Sequence, residues 1–151
     1  MSEKGSITEL GGSRISYSTA PPMEIVQAWP PNIDAIRETF PLTGHEIFAY
    51  GNRIYSPGAD TLPLSLIAHE EVHQAQQGND VESWWDRYLT DTAFRLQMEV
   101  EAHRVECRVA CSQTKDREYQ WRIRMLIARK LASPIYQFHG ITVTSAMGML
   151  K

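Results

Sequence analysis

The sequence predicts a mainly helical α+β domain with a small β-hairpin ahead of its central helix. Three observations carry this reading. The stretch "HEIFAYGNRIYSPG" holds two short β-favouring runs, 46–50 and 53–56, around Gly51-Asn52, a dipeptide suited to a two-residue hairpin turn. From Leu62 to the proline at position 134, apolar positions recur at helical spacing between capping residues. A chain of 151 residues with 42% apolar content can fill one core without disulfides.

Taken in order, residues 1–31 are rich in Ser, Gly and Pro ("GGSRIS", "STAPP", "WPP"), which interrupts regular structure. They are expected as an irregular N-terminal arm with room for one short strand, leaving residues 32–151 as a single domain. Asn32 is a good N-cap for a short helix through Phe40, which Pro41 stops. After the hairpin, Leu62, Leu66, Ile67 and Val72 give a helix over 62–77 with a buried apolar stripe, and Gly78 is placed to end it. Asp80 can cap the next helix, which carries Trp84, Trp85, Tyr88 and Leu89; of two adjacent tryptophans, one at most is expected to point squarely into the core. Asp91 or Thr92 can start a long helix to about Ser112, and "KDREYQWRIRMLIARKLASP" reads as one more. The tail "IYQFHGITVTSAMGMLK" reads as a strand or a wrapping segment.

The net charge is −3, but unevenly spread: residues 1–100 carry six Lys/Arg against fourteen Asp/Glu, and residues 101–151 carry nine against four. The basic residues Arg122, Arg124, Arg129 and Lys130 alternate with Trp121, Ile123, Met125, Leu126 and Ile127 as on a half-buried helix, so a solvated face is favoured over nucleic-acid binding. No run of eighteen apolar residues exists, and "MSEKGSITEL" has no export-signal pattern, so no membrane association and a cytoplasmic location are expected. Cys107 and Cys111 are too close in sequence for a useful disulfide and are expected as reduced thiols.

The chemistry concentrates in "LIAHEEVHQAQQ". At 3.6 residues per turn, His69 and His73 lie about 40° apart on one helix face, so both rings can reach one metal ion. Glu70 lies about 60° beyond His73, awkward for a ligand but close enough to touch a water on that metal. This is an HExxH arrangement. A catalytic zinc site needs a third protein ligand and an open position. The candidates sit in "RLQMEVEAHRVEC": Glu99, Glu101, His103 and Glu106. Glu99 and His103 share a face, Glu106 follows three residues later, and Glu101 points about 200° from Glu99, so only one of the two middle glutamates can face the metal.

"LIAHEEVHQAQ" followed by "EVEAHR" on a later helix resembles the gluzincins, zinc metallopeptidases with HExxH on one helix and a glutamate on another. The small size is similar to the minigluzincins. The resemblance spans roughly residues 46–108 and implies a zincin-like core, Zn2+ held by His69, His73 and Glu99, and Glu70 as general base. It also implies an edge strand that pairs with extended peptide or protein substrate. His103 stands where the family has an acid that supports a histidine ligand, which makes His103 the second choice for third ligand. Glu71 stands where the family prefers an uncharged residue. The family adds a Tyr or His that stabilises the oxyanion, for which Tyr88, Tyr136 and His139 are eligible. The competing expectation is a non-catalytic module in which zinc only braces two helices and the basic C-terminal face docks a protein or nucleic-acid partner. A fourth protein ligand such as His103 would mark that case.

Overall fold

The computed structural model describes residues 22–151 and the backbone of strands Ile7–Leu10 (β1) and Ser13–Ser16 (β2). The fold is α+β and mainly helical, as the periodicity predicts. β1 and β2 pair antiparallel, with Ile7 opposite Ser16. The predicted hairpin forms from β4 (Phe48–Tyr50) and β5 (Arg53–Tyr55), with Phe48 opposite Tyr55 and Tyr50 opposite Arg53. Gly51 takes φ 62°, the positive φ that this turn demands.

A third strand, β3 (Glu24–Val26), lies parallel to β5, so the sheet order is β3-β5-β4. Residues 22–31 therefore belong to the folded unit rather than to an arm: Met23 is buried against Ala49 and Ile54, and Pro30 is fully buried. The composition of 1–31 pointed to one strand, whereas β1, β2 and β3 all form. β3 finds its partner nearly thirty residues away, which leaves no local trace, whereas β1 and β2 are joined across Gly11-Gly12, a dipeptide that itself suits a hairpin turn.

Helix α1 spans Ile33–Thr39 and ends at Phe40, whose extended backbone is the conformation a following proline requires. Asn32 does not cap it. Its φ of −97° and ψ of 24° belong to a turn already in progress from Pro30, whose carbonyl accepts from Ile33 N, and a capping side chain needs β-region backbone. Both side-chain polar atoms of Asn32 are instead buried without a partner.

Helices α2 (Leu64–Gln77), α3 (Val81–Thr90), α4 (Thr92–Ser112) and α5 (Arg117–Leu131) follow the predicted order. Gly78 ends α2 at φ 55°, and Asp80, Asp91 and Asp116 cap the next three through bonds to Ser83 N, Phe94 N, and Glu118 N with Tyr119 N. The tail differs from expectation. After a 3-10 turn, Pro134–Tyr136, it forms α6 (Val143–Met149), because the β-branched "ITVT" run supplies Thr142 as the N-cap of a capping box with Ser145. Ala146 and Leu150 then pack against Ile127, Ala128 and Leu131 of α5. No helix among the described residues is long and apolar enough to cross a membrane.

Two apolar clusters flank the centre. One gathers Ile36, Phe40, Phe48, Trp84, Trp85, Tyr88 and Met98; the other joins α4, α5 and α6 through Cys107, Leu131 and Ala146. Both tryptophans are buried, not one, because α3 is covered by α1 and the hairpin on one side and by α2 and α4 on the other. Between the clusters α2 packs along α4, and here the buried faces are polar. On α2 the fully buried residues are His69, Glu70, His73 and Gln77, while Leu66, Ile67 and Val72 are only half-buried; on α4 they include Arg95, Glu99, His103 and Glu106. Such a stripe is costly to bury unless its members satisfy one another or a ligand.

Candidate metal centre

α2 and α4 bring His69, His73 and Glu99 together. His69 Nε2 and His73 Nε2 are 3.1 Å apart, His73 Nε2 is 3.2 Å from Glu99 Oε1, and His69 Nε2 is 3.4 Å from Glu99 Oε2. Donors bound at about 2.0–2.1 Å around a tetrahedral ion stand about 3.4 Å apart, so this triangle has the right size for one zinc ion. The three residues are 3–6% exposed, and Glu99 Oε2 is buried with no hydrogen-bond partner. A cation at the triangle satisfies that orphaned oxygen; a proton shared between the two histidines does not.

The tautomer of His73 suits a cation. Gln76 Nε2 donates to Met98 O at 3.1 Å, which turns the amide oxygen toward His73 Nδ1 at 2.8 Å. An amide oxygen only accepts, so Nδ1 carries a proton, and once the ring is neutral the lone pair is on Nε2, facing the triangle. His69 Nδ1 approaches Glu106 Oε1 at 2.9 Å, a short contact bent away from the ring's N–H direction, and the carboxylate beside Nδ1 again leaves Nε2 to the triangle.

The other candidates fall into distinct roles. Glu101 is exposed and faces away. His103 Nε2 lies 3.5 Å from Glu99 Oε2, and with His69 and Glu106 the ring forms a second buried group, sharing His69 with the first, that could hold a metal ion. Its Nδ1 lies 3.1 Å from Glu106 Oε1 and its Nε2 2.9 Å from Tyr136 Oη, so the ring donates to the carboxylate and accepts from the phenol. Position 103, where the resemblance expects an acid, is a histidine, and the acid against His69 is Glu106, three residues further along α4. Glu106 Oε2 in turn accepts from Lys130 Nζ at 2.9 Å. Glu71 is exposed, so its charge does not enter the site. Tyr88 donates to Glu99 Oε1 at 2.6 Å, and Tyr136 lines the same cavity, whereas His139 is exposed and does not line it.

Arg95 gave no signal in the sequence beyond its place on α4, yet it is buried and ties both tyrosine segments to that helix. Its guanidinium donates to Tyr88 O at 2.7 Å and to Tyr136 O at 3.1 Å and lies over the Phe40 ring. A cation at the last carbonyls of α3 also complements the helix dipole.

Charges reinforce the geometry. Burial disfavours a charged His69, but Glu106 and Glu99 outweigh it and raise its pKa to about 10; His73 is raised likewise, chiefly against burial by Glu99. Burial pushes Glu99 up, and the two histidines more than reverse this, holding its carboxyl well below the usual range. In Glu106 the same burial is overcome by the hydrogen bond from His103 and the closely set His69 ring, and its carboxyl is held below the usual range. Glu70 goes the other way: burial is its largest influence and raises its pKa, and its Oε2 has no partner. A carboxylate with a raised pKa and a free oxygen beside a cation site has the properties of a proton acceptor.

The cavity beside this cluster has a volume of about 270 Å³ and is walled by Phe48, Leu66, Trp84, Trp85, Ile135 and Tyr136 among others. The edge strand the resemblance offers for substrate pairing is occupied in its middle. Ala49 O on β4 accepts from Gln77 Nε2 at 2.7 Å and from Trp85 Nε1 at 3.1 Å, and Gly51 N donates to Gln77 Oε1 at 2.9 Å. No protein-family model, curated protein or solved structure matches the chain.

Proposed function

We propose that this chain is a zinc-dependent metallopeptidase of gluzincin type that hydrolyses peptide bonds. The observation that carries the reading is the convergence of His69, His73 and Glu99 on one point, with the unpartnered carboxylate of Glu70 beside it. His69, His73 and Glu99 would hold the ion. A bound zinc ion supplies Lewis acidity toward a carbonyl and lowers the pKa of a coordinated water from 15.7 toward about 7. Glu70 accepts the proton of the attacking water and delivers it to the leaving amine. Tyr88 holds Glu99 in place, and the apolar walls restrict water around the reacting groups. The engagement of His103 by Glu106 and Tyr136 supports an open coordination position, and hence catalysis over a purely bracing zinc. The two free cysteines agree with a cytoplasmic setting.

The test is metal analysis of the purified chain together with Glu70→Gln assayed on a mixed peptide library. Zinc should be retained at one ion per chain while turnover falls by a factor on the order of 10² to 10⁴. Undiminished turnover would refute the assignment of Glu70, and a chain that takes up no zinc would refute the centre.

A further inference from the structure

We infer that the site works on a chain end rather than on the middle of a long polypeptide, removing a terminal residue with a large apolar side chain. This rests on the peptidase reading above and deepens it. An extended substrate that adds a strand to β4 uses the outward N–H and C=O groups along that edge. The side-chain amide of Gln77 already occupies them. Its Nε2 donates to Ala49 O and its Oε1 accepts from Gly51 N, which is the pair of bonds a neighbouring strand's peptide group would make. Trp85 Nε1 fills the second lone pair of Ala49 O. Strand pairing along β4 is therefore closed from Ala49 onward, by a glutamine that is itself only 4% exposed.

The same side of the cavity is walled by buried aromatic rings. Trp84 stands with its ring centroid 5.3 Å from that of His73, so the wall begins one side chain away from the candidate ligands. Trp84 stacks on Tyr88 and meets Trp85 edge to face, and all three belong to the apolar core rather than to a movable loop. A cavity of about 270 Å³ has room for one large side chain with its flanking peptide groups. A bulky apolar terminal side chain fills such a pocket, and further residues on that side meet the wall of Trp84, Trp85 and Tyr88.

The experiment is product analysis by mass spectrometry with the zinc-loaded wild-type chain. Its substrates are a peptide series of increasing length that carries Phe or Leu at either end or only internally, and a denatured long polypeptide. Release of single residues or dipeptides from one end, with no internal fragments, is expected. Internal fragments formed as fast as terminal products would overturn the inference while leaving the peptidase reading intact. Cleavage of nothing in the series would remove the peptidase reading and this inference with it. A second readout avoids turnover: peptide binding to Glu70→Gln, followed by tryptophan fluorescence. Affinity should rise with the size of the terminal side chain and stay within about threefold as residues are added beyond it. Affinity that keeps rising by about tenfold or more with added residues on both sides of a central apolar residue would mean an open cleft and would also overturn the proposal.

Discussion

Lys130 Nζ sits 2.9 Å from Glu106 Oε2 and joins a half-exposed ammonium on α5 to a carboxylate that is almost wholly buried on α4. Through its other oxygen Glu106 touches both His69 and His103. One surface cation thereby steadies two buried rings, and the basic stripe that invited a nucleic-acid reading has at least one member turned inward.

Glu106→Ala should accordingly lower zinc affinity by about 10- to 100-fold, the usual effect of losing a group that orients a ligand histidine. Lys130→Met leaves Glu106 without its exposed partner. Because the lysine is half solvated, the expected loss is about 1–2 kcal/mol rather than the full cost of an unpaired buried charge. Competition titration with a chromogenic chelator reads the first and denaturant unfolding the second; Lys130→Arg should restore most of the stability.

The third ligand can be tested by contrast. Glu99→Ala should abolish stoichiometric zinc binding, whereas Glu101→Ala, on the exposed side of the same helix, should leave zinc content unchanged. His103→Ala should reduce affinity without abolishing it, since His103 bonds to Glu106 and Tyr136 instead of joining the donor triangle. If His103→Ala loses zinc as completely as Glu99→Ala, the ligand set is wrong.

Tyr88→Phe removes one donor to a buried carboxylate while keeping the ring that stacks on Trp84. Hydrogen bonds to charged groups contribute about 1.5–3 kcal/mol, so the metal-free chain should lose about that much stability. The deficit should shrink on adding zinc, which takes over the task of stabilising Glu99. Equal deficits with and without zinc would count against a metal at this carboxylate.

Protons and zinc compete for the same nitrogens, and the direction of that competition follows from the pKa shifts. In the metal-free chain His69 is raised from 6.5 to about 10, so its stabilising contribution is complete below pH 6.5 and is lost as pH rises through about 10. Glu99 is lowered from 4.5, so its contribution is present above pH 4.5 and is lost as pH falls below that. The contributions of these two groups to the metal-free chain therefore coincide between about pH 4.5 and 6.5. Zinc must displace the histidine protons, so the gap in melting temperature between zinc-loaded and chelator-treated protein should widen as pH rises from 6 to 8. A gap that narrows over that range would contradict the histidine ligands.

The residue spacing alone determined what is local. His69 and His73 share a face because four residues make slightly more than one helical turn, Gly51-Asn52 turns the hairpin, and Asp80, Asp91 and Asp116 cap helices from within three residues. Tertiary structure alone decided what depends on two distant segments meeting. The crossing of α2 on α4 brings Glu99 rather than the exposed Glu101 against His69 and His73, and sets Glu106 against His69 and His103. The docking of α2's end against β4 places Gln77 over Ala49, and β3 finds β5 from nearly thirty residues away. The apolar pattern was also least informative where function lies, because the buried faces of α2 and α4 are lined with histidine and glutamate, and hydrophobic periodicity cannot see a polar interior.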